Sequence, residues 1–379
     1  MIESAQPQPT APGRDPVTTQ RRDREAPRRV NPQAEQCHAS WILRLLLSPN
    51  GAADATSLID WELLLHTARS NGVLVRTAER LATLGARVPE TFADAVALER
   101  ARVHSTLELV RHVSQTCEAH GVEFVFPKLF QDYPDMGDDV DLLVLDRSSR
   151  VDRWIVAGLE TSAARRDLGE WMAGTVTYAI RDCPSPLDVQ HGRLGVVGEH
   201  NAFPEVLMQN QRRIIVDVAE FFAPPPEQQL VLQGLQRVAG RRRIALCDVV
   251  FTITAICRDP LDWDWIIGLA RQHGVFLGLS CYLSYVDQIY GEVFGHELLP
   301  AAVRRALVLA GWGRVEFRQG GYRFPLFRVN RRLYLEQLGT RMADADWAGA
   351  GRLGLIPVVA AWRGLRGLAR SRTQPKQLP

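Results

Sequence analysis

Hydrophobic residues alternate with polar ones in two short stretches, 122–126 and 139–145, separated by a polar connection. This pattern predicts two strands, because alternating positions of a strand face opposite sides of a sheet. Two later stretches, 175–180 and 187–194, show the same character and flank a turn of Asp182-Cys-Pro-Ser-Pro. We therefore expect a small mixed sheet in the middle of the chain.

The flanking sequence has a helical period. After Pro89, apolar residues recur at three- and four-residue spacing and predict one long helix that Gly121 ends. A further helix is expected over 148–159. The fold class is thus α+β, a small mixed-sheet core with N- and C-terminal helical regions. The expected divisions are a disordered arm (1–36), a helical region (37–120), the α/β core (121–222), a second helical region (223–345) and a basic, partly apolar tail (346–379).

One pattern occurs twice, once in each helical region. Asp60-Trp61-Glu62 is followed by Gly72-Val73, and Asp262-Trp263-Asp264 is followed by Gly274-Val275 at the same spacing. Aspartate is a favoured N-cap and glycine a favoured C-terminal stop. We expect two similar amphipathic helices, each capped by Asp and anchored in the core by Trp.

Charge and cysteine content bear on nucleic-acid binding and on the cellular compartment of the protein. A net charge of +2 does not indicate nucleic-acid binding by the protein as a whole. The hypothesis of a nucleic-acid-binding protein rests only on the basic termini. Residues 21–29 are rich in arginine and suit either contact with an anionic partner or a solvated arm. The six cysteines lack any C-x-x-C pair, and the N-terminus lacks the apolar core of a signal peptide. Both observations favour a cytoplasmic protein.

Three aspartates form the candidate site. Asp139 and Asp141 share one face of a predicted strand, and Asp188 lies in a second strand that can pair beside it. Clustered carboxylates repel unless a cation lies between them, so this set predicts a site for Mg²⁺ or Mn²⁺. Asp138 is expected to face away from them in a solvated turn.

Four motifs follow one another along the chain: Pro127-Lys128-Leu129, Tyr133-Pro134-Asp135, Asp139-Val140-Asp141-Leu142-Leu143-Val144 and Asp188-Val189-Gln190-His191. They resemble the uncharacterised nucleotidyltransferases of the polymerase-β-like superfamily, over about residues 40–300. The resemblance implies a bacterial, Mg²⁺-dependent enzyme that moves a nucleoside monophosphate from an NTP, with ATP as the expected donor, to an acceptor hydroxyl and releases pyrophosphate. It also implies work in polysaccharide or natural-product biosynthesis, on a sugar, lipid-linked intermediate, peptide, protein or RNA acceptor.

The chain departs from the family pattern in several respects, including a shorter interval from Lys128 to Asp139. Leu129 stands where the family has glycine, and the usual arginine is missing; Lys128 is expected to hold the triphosphate instead. His191 lies one residue later than the family's histidine and is expected to be a packed or hydrogen-bonded residue. The alternative is a catalytically degenerate, nucleotide- or partner-binding scaffold.

The roles of two basic segments stay open. Arg241-Arg242-Arg243 suits either phosphate or nucleic-acid binding or a solvated helix face. The tail combines an apolar stretch, 353–362, with Arg363, Arg366 and Arg370, and 347–379 contain no acidic residue. It suits either weak peripheral contact with an anionic membrane or a loosely packed end.

Overall fold

A small mixed sheet packed against helices forms the centre of the molecule. The computed structural model describes residues 31–356, except 49–58, 147, 149, 160, 164–165, 167, 196, 218, 241–242 and 259. The predicted α+β class with a small mixed sheet is confirmed. Among the described residues, no helix combines the length and the apolar character needed to cross a bilayer.

The order of elements follows the predicted succession of helices, core and helices. The N-terminal part contains α1 Pro32–Leu47, α2 Trp61–Ser70, α3 Leu74–Thr83 and α4 Glu90–Ala119. The middle part contains β1 Phe124–Val125, β2 Val140–Val144, α5 Arg150–Leu159, β3 Ser162–Ala163, α6 Leu168–Ala173, β4 Thr175–Ala179, β5 Leu187–His191, α7 Phe203–Gln209, β6 Arg212–Val216 and β7 Ala219–Ala223. The C-terminal part contains α8 Pro226–Gln233, a π-helical segment Gly234–Gly240, α9 Leu246–Arg258, α10 Trp263–Gln272, α11 Phe276–Phe294, α12 Ala301–Ala306, β8 Glu316–Arg318, β9 Gly321–Arg323 and α13 Leu326–Ala343. Residues 347–356 are also helical.

The sheet has the order β1-β2-β5-β4-β3, with β2 and β5 parallel at its centre and antiparallel pairs on both sides. Val140, Leu142 and Val144 point to one face and belong to an apolar cluster with residues of α4 and α5. Leu143 points to the other face and belongs to the larger cluster of the helical regions. The opposite face of β2, which carries Asp141, therefore looks toward the larger helical core.

The repeated Asp–Trp pattern folds as expected. Asp60 accepts the Leu63 amide at 3.0 Å, and Asp262 accepts the Trp265 amide at 2.9 Å. Gly72 and Gly274 follow these helices with φ of +63° and +64°, a region that side chains rarely adopt. Both first-turn tryptophans pack against the larger core cluster.

Several predicted boundaries need correction. Helix α1 begins at Pro32, so residues 32–36 are helical and not part of the arm, because Asn31 caps the Gln33 amide and proline suits the first helical position. The strand expected over 187–194 ends at His191, where Gly192 turns the chain with positive φ. Residues 1–30, Arg241, Arg242 and 357–379 lie outside the described residues.

Two hairpins were not predicted. Strands β6 and β7 lie within the predicted core, and β8 and β9 lie within the region expected to be helical. Arg243 donates to the carbonyls of Ser70 (2.7 Å) and Gly320 (3.3 Å), so it holds the second hairpin against α2. The Arg243 side chain therefore has a structural role and does not lie on a solvated helix face.

The polar connection before β2 is anchored by Asp135. Its carboxylate, 1% exposed, accepts the Val75 amide at 2.7 Å and the Arg76 amide at 3.1 Å, and it pairs with the Arg76 guanidinium at 3.0 Å. Val73, the N-cap residue of α3, makes no side-chain hydrogen bond to the first turn of the helix. A residue 60 positions away along the chain therefore caps α3 and ties it to the connection.

We expect Asp135→Ala to lower the free energy of unfolding by about 2 kcal/mol or more, because the substitution removes a helix cap and leaves Arg76 without this carboxylate. Urea unfolding should measure it. The control is Asp138→Ala, an exposed position in the same connection, which should lower stability by clearly less than Asp135→Ala does. Equal effects of the two substitutions would contradict the assigned role of Asp135.

Candidate metal centre

The two central strands bring the predicted carboxylates together. In the parallel register of β2 and β5, Asp141 lies directly opposite Asp188. Directly paired residues of neighbouring strands point to the same face, and Asp139, two positions before Asp141, shares that face. The pairing expected from the sequence between these two strands is thus present.

The three aspartates are close enough to share a cation. One carboxylate oxygen from each of Asp139, Asp141 and Asp188 lies within 4.8 Å of the other two. Asp141 is buried, while the other two are partly accessible. Three hard oxygen donors in one cluster fit Mg²⁺ or Mn²⁺ and do not suit the nitrogen and sulfur preferences of zinc. The donor set therefore fits the metal predicted from the sequence.

Neighbouring side chains on the same face orient the carboxylates. Gln190 donates its amide to Asp141 Oδ1 at 2.8 Å, and Thr177 donates its hydroxyl to Asp188 Oδ1 at 2.5 Å. Such contacts hold ligating oxygens in one orientation. Neither residue was predicted as part of the site. The sequence pattern did indicate Gln190, because it lies two positions after Asp188 and therefore on the same face of the strand. Thr177 becomes a neighbour of Asp188 only through the antiparallel register of β4 and β5.

Lys128 lies at the same cluster. Its Nζ is 2.7 Å from Asp141 Oδ2, and only 17% of its side chain is exposed. Lysine stands at only two of the 45 basic positions of the chain, 128 and 376. The ammonium is a compact point charge that suits phosphate oxygens without the fixed planar geometry of arginine. This choice is notable where almost every other basic residue is arginine.

Leu129, next to that lysine, is 4% exposed and packs with Phe126 and Phe130 in the smaller apolar cluster. Its side chain is therefore part of the core. Because the Leu129 side chain fills space in this cluster, an apolar residue fits at the position where the nucleotidyltransferases that the chain resembles have glycine.

The pKa of Asp188 is raised to about 6. Burial is the main cause because it penalises the charged carboxylate, and the negative charges of Asp141 and Asp139 raise it further. The hydrogen bond from Thr177 acts in the opposite direction by favouring the charged form. The raised pKa therefore reflects burial first and the neighbouring carboxylates second.

His191 is not part of the cluster. Its ring lies 2.9 Å from the Asp146 carbonyl through Nδ1 and 3.2 Å from Asp152 through Nε2, and Tyr178 donates to the same Asp152 carboxylate at 2.6 Å. These contacts make His191 a packed, hydrogen-bonded residue, as its position in the strand predicted. Asp138 is exposed and is not part of the acidic trio.

The raised pKa predicts a pH-dependent stability effect. Folded Asp188 holds its proton more tightly than the unfolded chain does, so its favourable contribution is complete below about pH 4 and is lost as the pH rises through about 6. In metal-free buffer, we expect Asp188→Asn to raise the free energy of unfolding near neutral pH by up to about 3 kcal/mol, and the gain to vanish by about pH 4.

Denaturant unfolding of wild type and variant across this pH range measures the effect. The control is Asp138→Asn, which removes an exposed carboxylate from outside the cluster. A variant that is less stable than the wild type near neutral pH would contradict the electrostatic account of this site.

No family model, no curated protein and no solved structure matches this chain.

Proposed function

We propose that this protein is a Mg²⁺-dependent nucleotidyltransferase with a nucleotidyltransferase-type α/β core. It moves a nucleoside monophosphate from an NTP, with ATP as the first donor to test, to an acceptor hydroxyl and releases pyrophosphate. The observation that carries the proposal is the set of three carboxylates from two adjacent parallel strands, with oxygens within 4.8 Å and a lysine beside them. Nucleotidyl transfer needs this combination of anionic metal ligands and a cation for the phosphates.

Each residue has a proposed role. Asp139, Asp141 and Asp188 hold the metal, which when bound supplies positive charge to the phosphate oxygens and to the attacking oxygen. Asp188 also assists removal of the proton from the acceptor hydroxyl. Lys128 exchanges its contact with Asp141 for the triphosphate and steadies the leaving pyrophosphate. Gln190 and Thr177 keep two of the ligands oriented.

The acceptor site is defined only by class. A sugar, a lipid-linked intermediate, a peptide, a protein side chain or an RNA end offers the hydroxyl that this chemistry requires. The metal-bearing face of the sheet looks toward the larger helical core, to which Leu143 contributes. Asp139 and Asp188 are partly accessible, so we propose that the acceptor reaches the cluster at these two side chains.

A specific observation also favours a second candidate, a scaffold that lacks catalysis. Lys128 already neutralises Asp141 at 2.7 Å, which is the role a cation plays in an acidic cluster. In such a protein the ammonium serves as a permanent counter-ion, and the three aspartates contribute to a binding surface for a nucleotide or a partner protein. The two candidates differ in what the cluster does with a divalent metal.

We expect Asp139→Asn with Asp141→Asn to abolish metal-dependent nucleotide binding, because the substitutions remove two anionic ligands while keeping side-chain size. Isothermal titration of ATP, GTP, CTP and UTP with Mg²⁺ measures this. Asp138→Asn serves as the control and should bind as the wild type does. Unchanged binding by the double variant would place the metal elsewhere, and no binding of any nucleotide by the wild type would favour a scaffold that binds a partner protein.

Substitution of Lys128 separates the two candidates further. In the enzyme, Lys128→Met should weaken Mg·ATP binding by roughly tenfold or more while Mn²⁺ still binds, because a phosphate contact is lost and the metal ligands remain. In the scaffold, wild type should bind no Mn²⁺, and Lys128→Met should gain affinity for it. Titration of Mn²⁺ by electron paramagnetic resonance distinguishes these results.

The scarcity of lysine allows a direct check. A lysine-reactive ATP analogue such as the periodate-oxidised dialdehyde can modify few side chains, since lysine occurs only at 128 and 376. The enzyme hypothesis expects modification at Lys128 that excess Mg·ATP prevents, read by peptide mass spectrometry. Modification of Lys376 alone would contradict the assigned role of Lys128.

A further inference from the structure

One arginine outside the acidic cluster connects the two strands that carry it. Arg102 lies in the middle of α4 and is 8% exposed. Its guanidinium donates to the carbonyls of Met136 at 2.6 Å and Gly137 at 2.7 Å, in the connection that leads into β2. The same guanidinium donates to the Ser185 hydroxyl at 3.2 Å, in the turn that leads into β5.

The contacted positions lie immediately before the metal ligands. Gly137 precedes Asp139 by two residues, and Ser185 precedes Asp188 by three. The two entrances also bond to each other, since the Val140 amide donates to the Pro186 carbonyl at 2.9 Å. A displacement of either entrance therefore moves one ligand relative to the others.

Supporting groups fix the arginine in this position. Glu99 accepts from Arg102 Nη2 at 2.6 Å and from Nε at 3.0 Å, which neutralises the buried charge. Thr106, one turn further along α4, contacts the Ser185 hydroxyl at 2.9 Å. Ser185 itself is fully buried. The helix thus supplies a rigid base for both turns.

We infer that Arg102 is a positioning residue of the metal centre, which sets the separation of the β2 and β5 carboxylates by holding the two turns that precede them. The inference rests on the proposed function, because it assumes that these carboxylates bind a metal. Metal affinity depends on ligand placement to within about 0.5 Å, and loss of groups that orient ligands typically lowers affinity by 10–100-fold.

The test compares two arginines that make similar contacts. Arg80 also donates to two main-chain carbonyls, Leu45 at 3.2 Å and Ser48 at 3.0 Å, at the end of α1 and away from the acidic cluster. Arg102→Lys and Arg80→Lys each replace the planar fork with a single ammonium. Mn²⁺ binding by electron paramagnetic resonance and thermal unfolding are measured on both variants of the full chain.

We expect Arg102→Lys to weaken Mn²⁺ binding roughly tenfold or more, and Arg80→Lys to leave it within about twofold of wild type even where both lower the melting temperature. Should Arg102→Lys fail to fold, Ser185→Ala replaces it, since it removes the contacts of Arg102 and Thr106 with the β5 entrance, keeps those of Arg102 with Met136 and Gly137, and should weaken Mn²⁺ binding several-fold. Wild-type Mn²⁺ affinity in folded Arg102→Lys, or in Ser185→Ala where that variant is used instead, would overturn the inference and leave the proposed function standing. Absence of Mn²⁺ binding by the wild type would remove both.

Discussion

The register of β2 against β5 is the constraint on which the site depends. It places Asp141 opposite Asp188, so two carboxylates on neighbouring strands share one face of a sheet. Like charges at this separation raise the free energy of the folded chain unless hydrogen bonds and a cation offset them. Gln190, Thr177 and Lys128 supply these contacts within the protein. Burial is the main cause of the raised pKa of Asp188, and the negative charges of Asp141 and Asp139 raise it further, so these contacts leave part of the cost of the charged carboxylate in place.

The site is held by helices that are distant in sequence. Asp135 ties the connection before β2 to the start of α3, and Arg102 ties both strand entrances to α4. A further buried ion pair, Arg237 with Asp248 at 2.6 Å, lies near Asp132, whose pKa burial raises to about 6. The helical regions therefore act as supports of the sheet, and a change in helix packing is expected to reach the carboxylates.

Sequence patterns predicted the structural features that depend on residues close together in the chain. The alternation around Asp139 predicted the strand, and the caps at Asp60 and Asp262 follow from a side chain and amides three residues away. The patterns did not predict the roles of Arg102 and Asp135. The strand entrances that Arg102 contacts lie 34 to 83 residues away, and the amides that Asp135 caps lie 59 to 60 residues away. Such contacts form only after the chain has folded, and a lone charged residue in a sequence does not indicate its partner. Hairpin β8–β9 was missed because its strands have only three residues each. Strands β6 and β7 have five residues each and were missed because their apolar residues do not alternate with polar ones.

The ion pair between Lys128 and Asp141 has a consequence for how the chain matures. Some small metal-binding domains remain unfolded until the ion arrives, because their ligand sites do not exist in the unfolded chain. Here an ammonium of the chain itself partly compensates the acidic cluster, so folding can finish first. Under the proposed function, loading of the metal then becomes an exchange of one cation for another in a completed structure. Its rate should depend on how easily a single side chain leaves and not on the cellular concentration of unfolded protein.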